Sequence, residues 1–169
     1  MVIDQQGAHE RILYERVLNA FEKQMSATQQ ELFPKTIELN TTDFALVQEL
    51  QPEIQALGFD IREFGKNTFI IHGVPADTVD HDSTEILEGL IENYKQNFQE
   101  LRSNKRENLA RSMAKKMSIK SGTALTQEEM NNLIDELFAC KMPYSTPNGK
   151  PTISTIAIDE LDKRFKKYF

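Results

Sequence analysis

MVIDQQGAHERILYE, residues 1–15, is the stretch on which the reading of this chain turns. Three apolar residues, Met1, Val2 and Ile3, end on Asp4, and the chain then passes through Gly7 into a run carrying Glu10 and Glu15. That pattern predicts a strand end running into a helix. The apolar start is too short for a whole strand, so the chain is expected to be a piece of a longer protein. Acidic residues at a strand end and on the adjacent helix can gather into a site for a divalent metal.

Outward from this segment, Ile12, Leu13, Val17, Leu18, Phe21 and Met25 recur at helical spacing and predict one amphipathic helix over residues 8–25. A polar connection over 26–31 leads to Leu32-Phe33-Pro34, and residues 35–40 alternate as a strand. Thr41 or Thr42 can cap a helix running to Leu57, with Gly58 closing it and Pro52 expected to break or bend it. Residues 59–64 and 68–72 alternate with period two around Gly65-Lys66-Asn67, which predicts a β-hairpin. An acidic loop over 74–83 precedes helices at 83–101 and 104–120. Thr126 with Glu129 has capping-box spacing and opens a helix to about residue 140. Residues 141–150 hold Pro143, Pro147 and Gly149 and read as an extended loop, followed by a strand at 152–158 and a helix at 159–168. The mixed order of elements predicts an α+β fold.

With 169 residues, 39% of them hydrophobic, the chain can bury a real core in one domain or two small subdomains. A formal charge of −6 argues against a dedicated nucleic-acid grip, which needs clustered Lys and Arg. One cysteine, Cys140, excludes an internal disulfide framework, and neither a secretory signal nor a long apolar run is present, so a soluble protein of a reducing cytosol with no membrane partner is expected.

The chemistry on offer is sparse. His9, His72 and His81 share no metal-ligand spacing. Asp4, His9, Glu10 and Glu15 do lie close in sequence, yet Glu10 and Glu15 are five positions apart and point to different sides of a helix. The plainer reading of His9 and Glu10 is as ordinary first-turn residues, the acid being favoured by the helix dipole. No G-x-S-x-G elbow, dinucleotide fingerprint or Walker A loop occurs. A basic segment holds Arg102, Lys105, Arg106, Arg111, Lys115, Lys116 and Lys120 against Glu107 alone. It is either a weak contact for DNA phosphates, with Lys105, Arg106, Arg111, Lys115 and Lys116 as candidates, or a solvated helix face. Lys163, Arg164, Lys166 and Lys167 suit the last turn of a terminal helix. Finally, Gln29-Gln30-Glu31-Leu32-Phe33 has the form of a linear docking motif, although Leu32 and Phe33 could equally be core.

Taken in order, these segments resemble the C-terminal domain of MutL, a family of DNA mismatch-repair proteins. DQQGAHERILYE (4–15) resembles the DQHAxxExxxxE segment, GFDIREFGKNTFIIHGVP (58–75) the hairpin stretch, and PYSTPNGKPT (143–152) the PYxCPHGRPT loop. The LTQEEM opening (125–130) and the FKK ending also fit. The resemblance implies a dimerisation subdomain at 1–33 plus 143–169, a regulatory subdomain at 34–142, homodimerisation, mismatch-repair partners and an N-terminal ATPase region elsewhere. The terminal strand and the helix after it are the expected interface.

The resemblance also implies a degenerate nuclease motif. Asp4, Glu10 and Glu15 match the first motif, but Gln6 stands for its His and Gly7 for its Ala. Ala114-Lys115-Lys116 aligns with an Ala-Cys-His segment, and Thr146, Asn148 and Lys150 stand for Cys, His and Arg of the last loop. Every soft ligand is gone, and Lys115 and Lys116 would oppose a cation. The expectation is a domain without catalytic residues, metal or cofactor; the alternative is a residual metal-dependent nuclease using Asp4, Glu10 and Glu15. Gln29, Leu32 and Phe33 resemble a sliding-clamp docking motif, with core packing of Leu32 and Phe33 as the rival. A bacterial cytoplasmic protein, associated with the nucleoid during repair, is implied.

Overall fold

Two antiparallel sheets and six helices, counted among the described residues, make an α+β fold, the class expected from the sequence. The computed structural model describes residues 1–23, 26–78, 81–97 and 104–165. The order is β1 (Val2–Ile3), α1 (Gln5–Lys23), β2 (Thr28–Glu38), α2 (Thr41–Ala56), β3 (Asp60–Glu63), β4 (Thr68–Pro75), a 3-10 turn (Ala76–Thr78), α3 (Ser83–Asn97), α4 (Lys105–Met117), α5 (Gln127–Ala139), β5 (Ile153–Ser154) and α6 (Ile158–Arg164).

The chain divides into two compact units, Met1–Ile12 with Ser118–Phe169, and Leu13–Met117. In the first, β1 pairs with β5 (Val2 opposite Ser154), and Leu133 and Leu137 of α5 pack on Ala8 and Ile12 of α1. In the second, the sheet order is β2-β4-β3, and its inner face, with Ile37, Ile61, Phe69 and Ile71, packs in one core with Leu50, Ile54, Leu87 and Leu109 of the helices. These units meet along the chain at 12/13 and 117/118. β2 is zipped to β4 in the second unit, and the apolar face of α5 is buried in the first.

Several element bounds differ from the sequence reading for local reasons. Helix α1 starts at Gln5, three residues early, because Asp4 caps it: Asp4 Oδ1 accepts from the N–H of Gln6 and Gly7 at 3.1 and 3.2 Å. Its expected end, 24–25, lies outside the described residues. The expected polar connection over 26–31 belongs largely to β2, whose Gln-rich start pairs with the end of β4. Asn40, read as strand, is the N-cap of α2, its side chain accepting from Asp43 N–H. Pro52 sits inside α2 without breaking it, since buried Val47, Leu50 and Ile54 anchor the helix on both sides. Gly58 closes α2 with φ +100, and Asn67 takes the hairpin's left-handed position at φ 54. β4 runs on to Pro75, so the loop placed at 74 starts later. Helix α4 stops at Met117, three residues before the expected end, where the Ile119 N–H turns to donate to His9 Nδ1 at 3.0 Å. The capping box of Thr126 and Glu129 is present on α5. β5 has only two residues, Ile153 and Ser154, the part of 152–158 that pairs with β1; the helix expected at 159–168 begins at Ile158. Residues 98–103 and 166–169, including Arg102, Lys166 and Lys167, lie outside the described residues.

Candidate functional site

The acidic motif divides between the units. Asp4 and Glu10 belong to the first; Glu15, half-buried, belongs to the second with Lys115 and Lys116. Asp4 does structural work: its carboxylate caps α1 and its N–H donates to Thr152 O at 2.9 Å. Glu10 is half-buried, with Oε1 shielded from solvent. His9, adjacent to it, accepts a backbone N–H at Nδ1, so its proton sits on Nε2 when the ring is neutral. Among the described residues, no group of three or more His, Cys, Asp and Glu side chains could hold a metal ion.

The loop at 143–152 is closed by its own bonds. Thr146 N–H donates to Lys150 O at 2.7 Å, and the Lys150 N–H donates back to the Thr146 hydroxyl at 3.1 Å. Gly149 takes φ +78 to make the turn, and Ser145 bridges Pro151. Buried Arg11 reaches this loop from α1, its Nε donating to Ser145 O at 2.6 Å. Arg11 was not singled out from sequence; its place next to Ile12 on the buried side of α1 was the available signal.

The segment holding Gln29, Leu32 and Phe33 has a distinctive geometry. Gln30 pairs with Gly73, and the next paired position is Lys35 with Ile71. Residues 31–34 of β2 therefore stand opposite His72 alone, and the surplus bulges outward. Leu32 is 91% exposed and Phe33 81%. They are not core. Pro34 lacks an N–H and fits a stretch without ladder bonds, while Gln29 is exposed beside the bulge.

The basic residues of α4 are engaged within their own unit. Lys105 Nζ lies 2.7 Å from Glu49 Oε1, which holds the ammonium above its usual range. Arg111 pairs with Glu107 at 2.8 Å, and the Arg106 guanidinium stands 5.7 Å from the Phe21 ring centroid. Lys115 donates to Gln96 Oε1 at 3.2 Å, and the Lys116 stem occupies the space a Cβ on Gly89 would need. The same unit has a cavity of about 290 Å³ walled by Leu13, Val17, Leu57, Met113 and Met117. Among the described residues its lining holds no carboxylate, histidine or cysteine.

Exposed apolar side chains concentrate in the first unit. Of the twelve large ones among the described residues, nine lie there. Helix α6 buries no residue and presents Ile158, Leu161 and Phe165 at helical spacing. No described helix is long and apolar enough to cross a membrane.

Comparison with known proteins gives the family. Residues 1–125 match the family described as MutL C terminal dimerisation domain. The chain is 44% identical to the DNA mismatch repair protein MutL of Prosthecochloris aestuarii, over 98% of this chain and 26% of the relative. With the corresponding proteins of Chlorobium limicola and Chlorobium phaeobacteroides (strain BS1) the identities are 41% and 43% over the same shares. The chain thus spans about a quarter of the length of these curated relatives. It belongs to the MutL C-terminal dimerisation domain family.

Proposed function

We propose that this chain is the homodimerising, partner-coupling scaffold of a bacterial, cytoplasmic mismatch-repair protein and does not itself cut DNA. The observation that carries the dimer is the unpartnered apolar stripe of α6, with Ile158 75% and Phe165 74% exposed. A monomer gains nothing by displaying it, whereas a second copy would bury it. Joining two chains in this way raises the effective concentration of whatever arms they carry, ATPase arms in this reading. Replacing Ile158 and Phe165 by Ser is expected to abolish self-association while leaving the fold intact; an unchanged dimer would refute the assignment.

The absence of nuclease activity is supported by the side chains at the motif positions. Gln6, Lys115, Lys116, Thr146 and Asn148 offer no thiolate or imidazole, and Asp4 and Thr146 are occupied in capping and loop closure. The competing reading is a residual metal-dependent nuclease using Asp4, Glu10 and Glu15. Nicking of supercoiled plasmid in manganese separates them: no nicking is expected, and nicking lost specifically in Glu10→Ala would establish the competitor.

A second reading concerns Gln29, Leu32 and Phe33. Two adjacent apolar side chains held out on a bulge, next to an exposed amide, suit insertion into a partner's apolar groove, here that of a sliding clamp. Clamp binding measured with Leu32→Ala and Phe33→Ala decides it; unchanged affinity removes the idea.

A further inference from the structure

Gly7 is buried in the first turns of α1, a place where glycine is a poor choice for helix formation. The reason lies in the loop at 143–152. A Cβ built on Gly7 would stand 3.0 Å from the Thr146 methyl carbon and 3.0 Å from Asp4 Oδ2. Both are closer than ordinary contact.

Thr146 has no room to retreat. Its N–H and hydroxyl are both bonded to the Lys150 backbone, and its carbonyl accepts from Gly149 N–H at 2.9 Å. On either side the loop is tied down again, by Arg11 to Ser145 O and by Asp4 N–H to Thr152 O. Thr152 adds a hydroxyl bond to Pro143 O. The loop is thus a small closed hairpin, and its Thr146 methyl rests on the one α1 position without a side chain.

We infer that Gly7 and Thr146 form a latch that docks the 143–152 loop on the first turns of α1, and that the Thr146 methyl, together with the Asp4 carboxylate, is what requires glycine at position 7. The latch depends on neither the dimer nor the nuclease reading. Its signature is a reversal of sign. In an open helix Gly→Ala is stabilising, so Gly7→Ala reports the latch by going the other way.

The test uses Gly7→Ala, Thr146→Ser and the double variant, read by thermal melting and by amide hydrogen exchange at Gly149 and Lys150. Gly7→Ala is expected to lower Tm by about 2–8 °C and to speed exchange at both amides by roughly tenfold or more. Thr146→Ser keeps the hydroxyl bond and removes the methyl. In that background Gly7→Ala is expected to lower Tm by no more than half as much as in the parent chain, the Asp4 contact remaining, with loop exchange slow again. Should Gly7→Ala alone fail to fold, folding of the double variant supports the latch, and its failure counts against it. A rise in Tm on Gly7→Ala in the parent chain, or an equal fall in both backgrounds, would overturn the inference.

Discussion

Gly73 of β4 lies so close under Thr28 of β2 that a Cβ on it would come within 2.6 Å of Thr28 Cγ2. The same atom would meet Gln29 O at 3.0 Å. The missing side chain lets β2 cross tightly just before its bulge. Gly73→Ala is expected to destabilise the chain by about 1–3 kcal/mol in urea unfolding, the usual penalty for overpacking. It should also weaken any clamp binding by displacing the strand that carries Leu32 and Phe33. Unchanged stability would mean that the crossing is looser than described.

Leu32 and Phe33 themselves are expected to contribute almost nothing to folding. Their exposure leaves little apolar area to lose, so Leu32→Ala with Phe33→Ala should shift unfolding by no more than about 0.5 kcal/mol. A loss several times larger would return these residues to the core.

The acid limb of stability has an identifiable contributor. Asp82 is held well below the usual carboxylate range by Lys35, 2.7 Å away, and then by bonds from Thr84 and Glu85 at the start of α3. Its folded-state pKa is lower than the unfolded value of about 4, so its contribution is present above about pH 4 and fades as the pH falls further. Both side chains are partly exposed, at 42% and 39%, so solvent screens the ion pair and its contribution is small. Asp82→Asn should lower stability at pH 7 and have a smaller effect at pH 3 in parallel urea titrations. A gap that widens toward acid would contradict this sign.

DNA affinity through α4 is expected to be weak. Lys105 and Arg111 are already ion-paired, and the chain carries a formal charge of −6. Lys115→Glu with Lys116→Glu should therefore change duplex binding by less than about threefold near physiological salt. A tenfold loss with a shallower salt dependence would make α4 a phosphate-binding surface.

Local signals were legible wherever the chemistry was local. The Thr126–Glu129 box, the Gly58 stop and the hairpin around Gly65-Lys66-Asn67 all depend on residues within a few positions of one another. What the sequence hid depends on distant partners. The strand character of Thr28 to Gln30 comes from pairing with Gly73 to Pro75, and the early start of α1 from the Asp4 carboxylate turning back on its own helix. Similar reasons account for His9 on Ile119, Arg11 on Ser145 and Gly7 under Thr146, contacts across more than a hundred residues. The packing of Leu133 and Leu137 of α5 on Ala8 and Ile12 is hidden in the same way, since the two helices lie far apart in sequence.

The proposed dimer rests most heavily on the exposed stripe of α6. Sedimentation equilibrium of the chain at micromolar concentration tests it most directly. The expected result is twice the 19.4 kDa chain mass, falling to the single-chain mass in the Ile158→Ser, Phe165→Ser variant. A parent chain that sediments as a monomer across that range would contradict it.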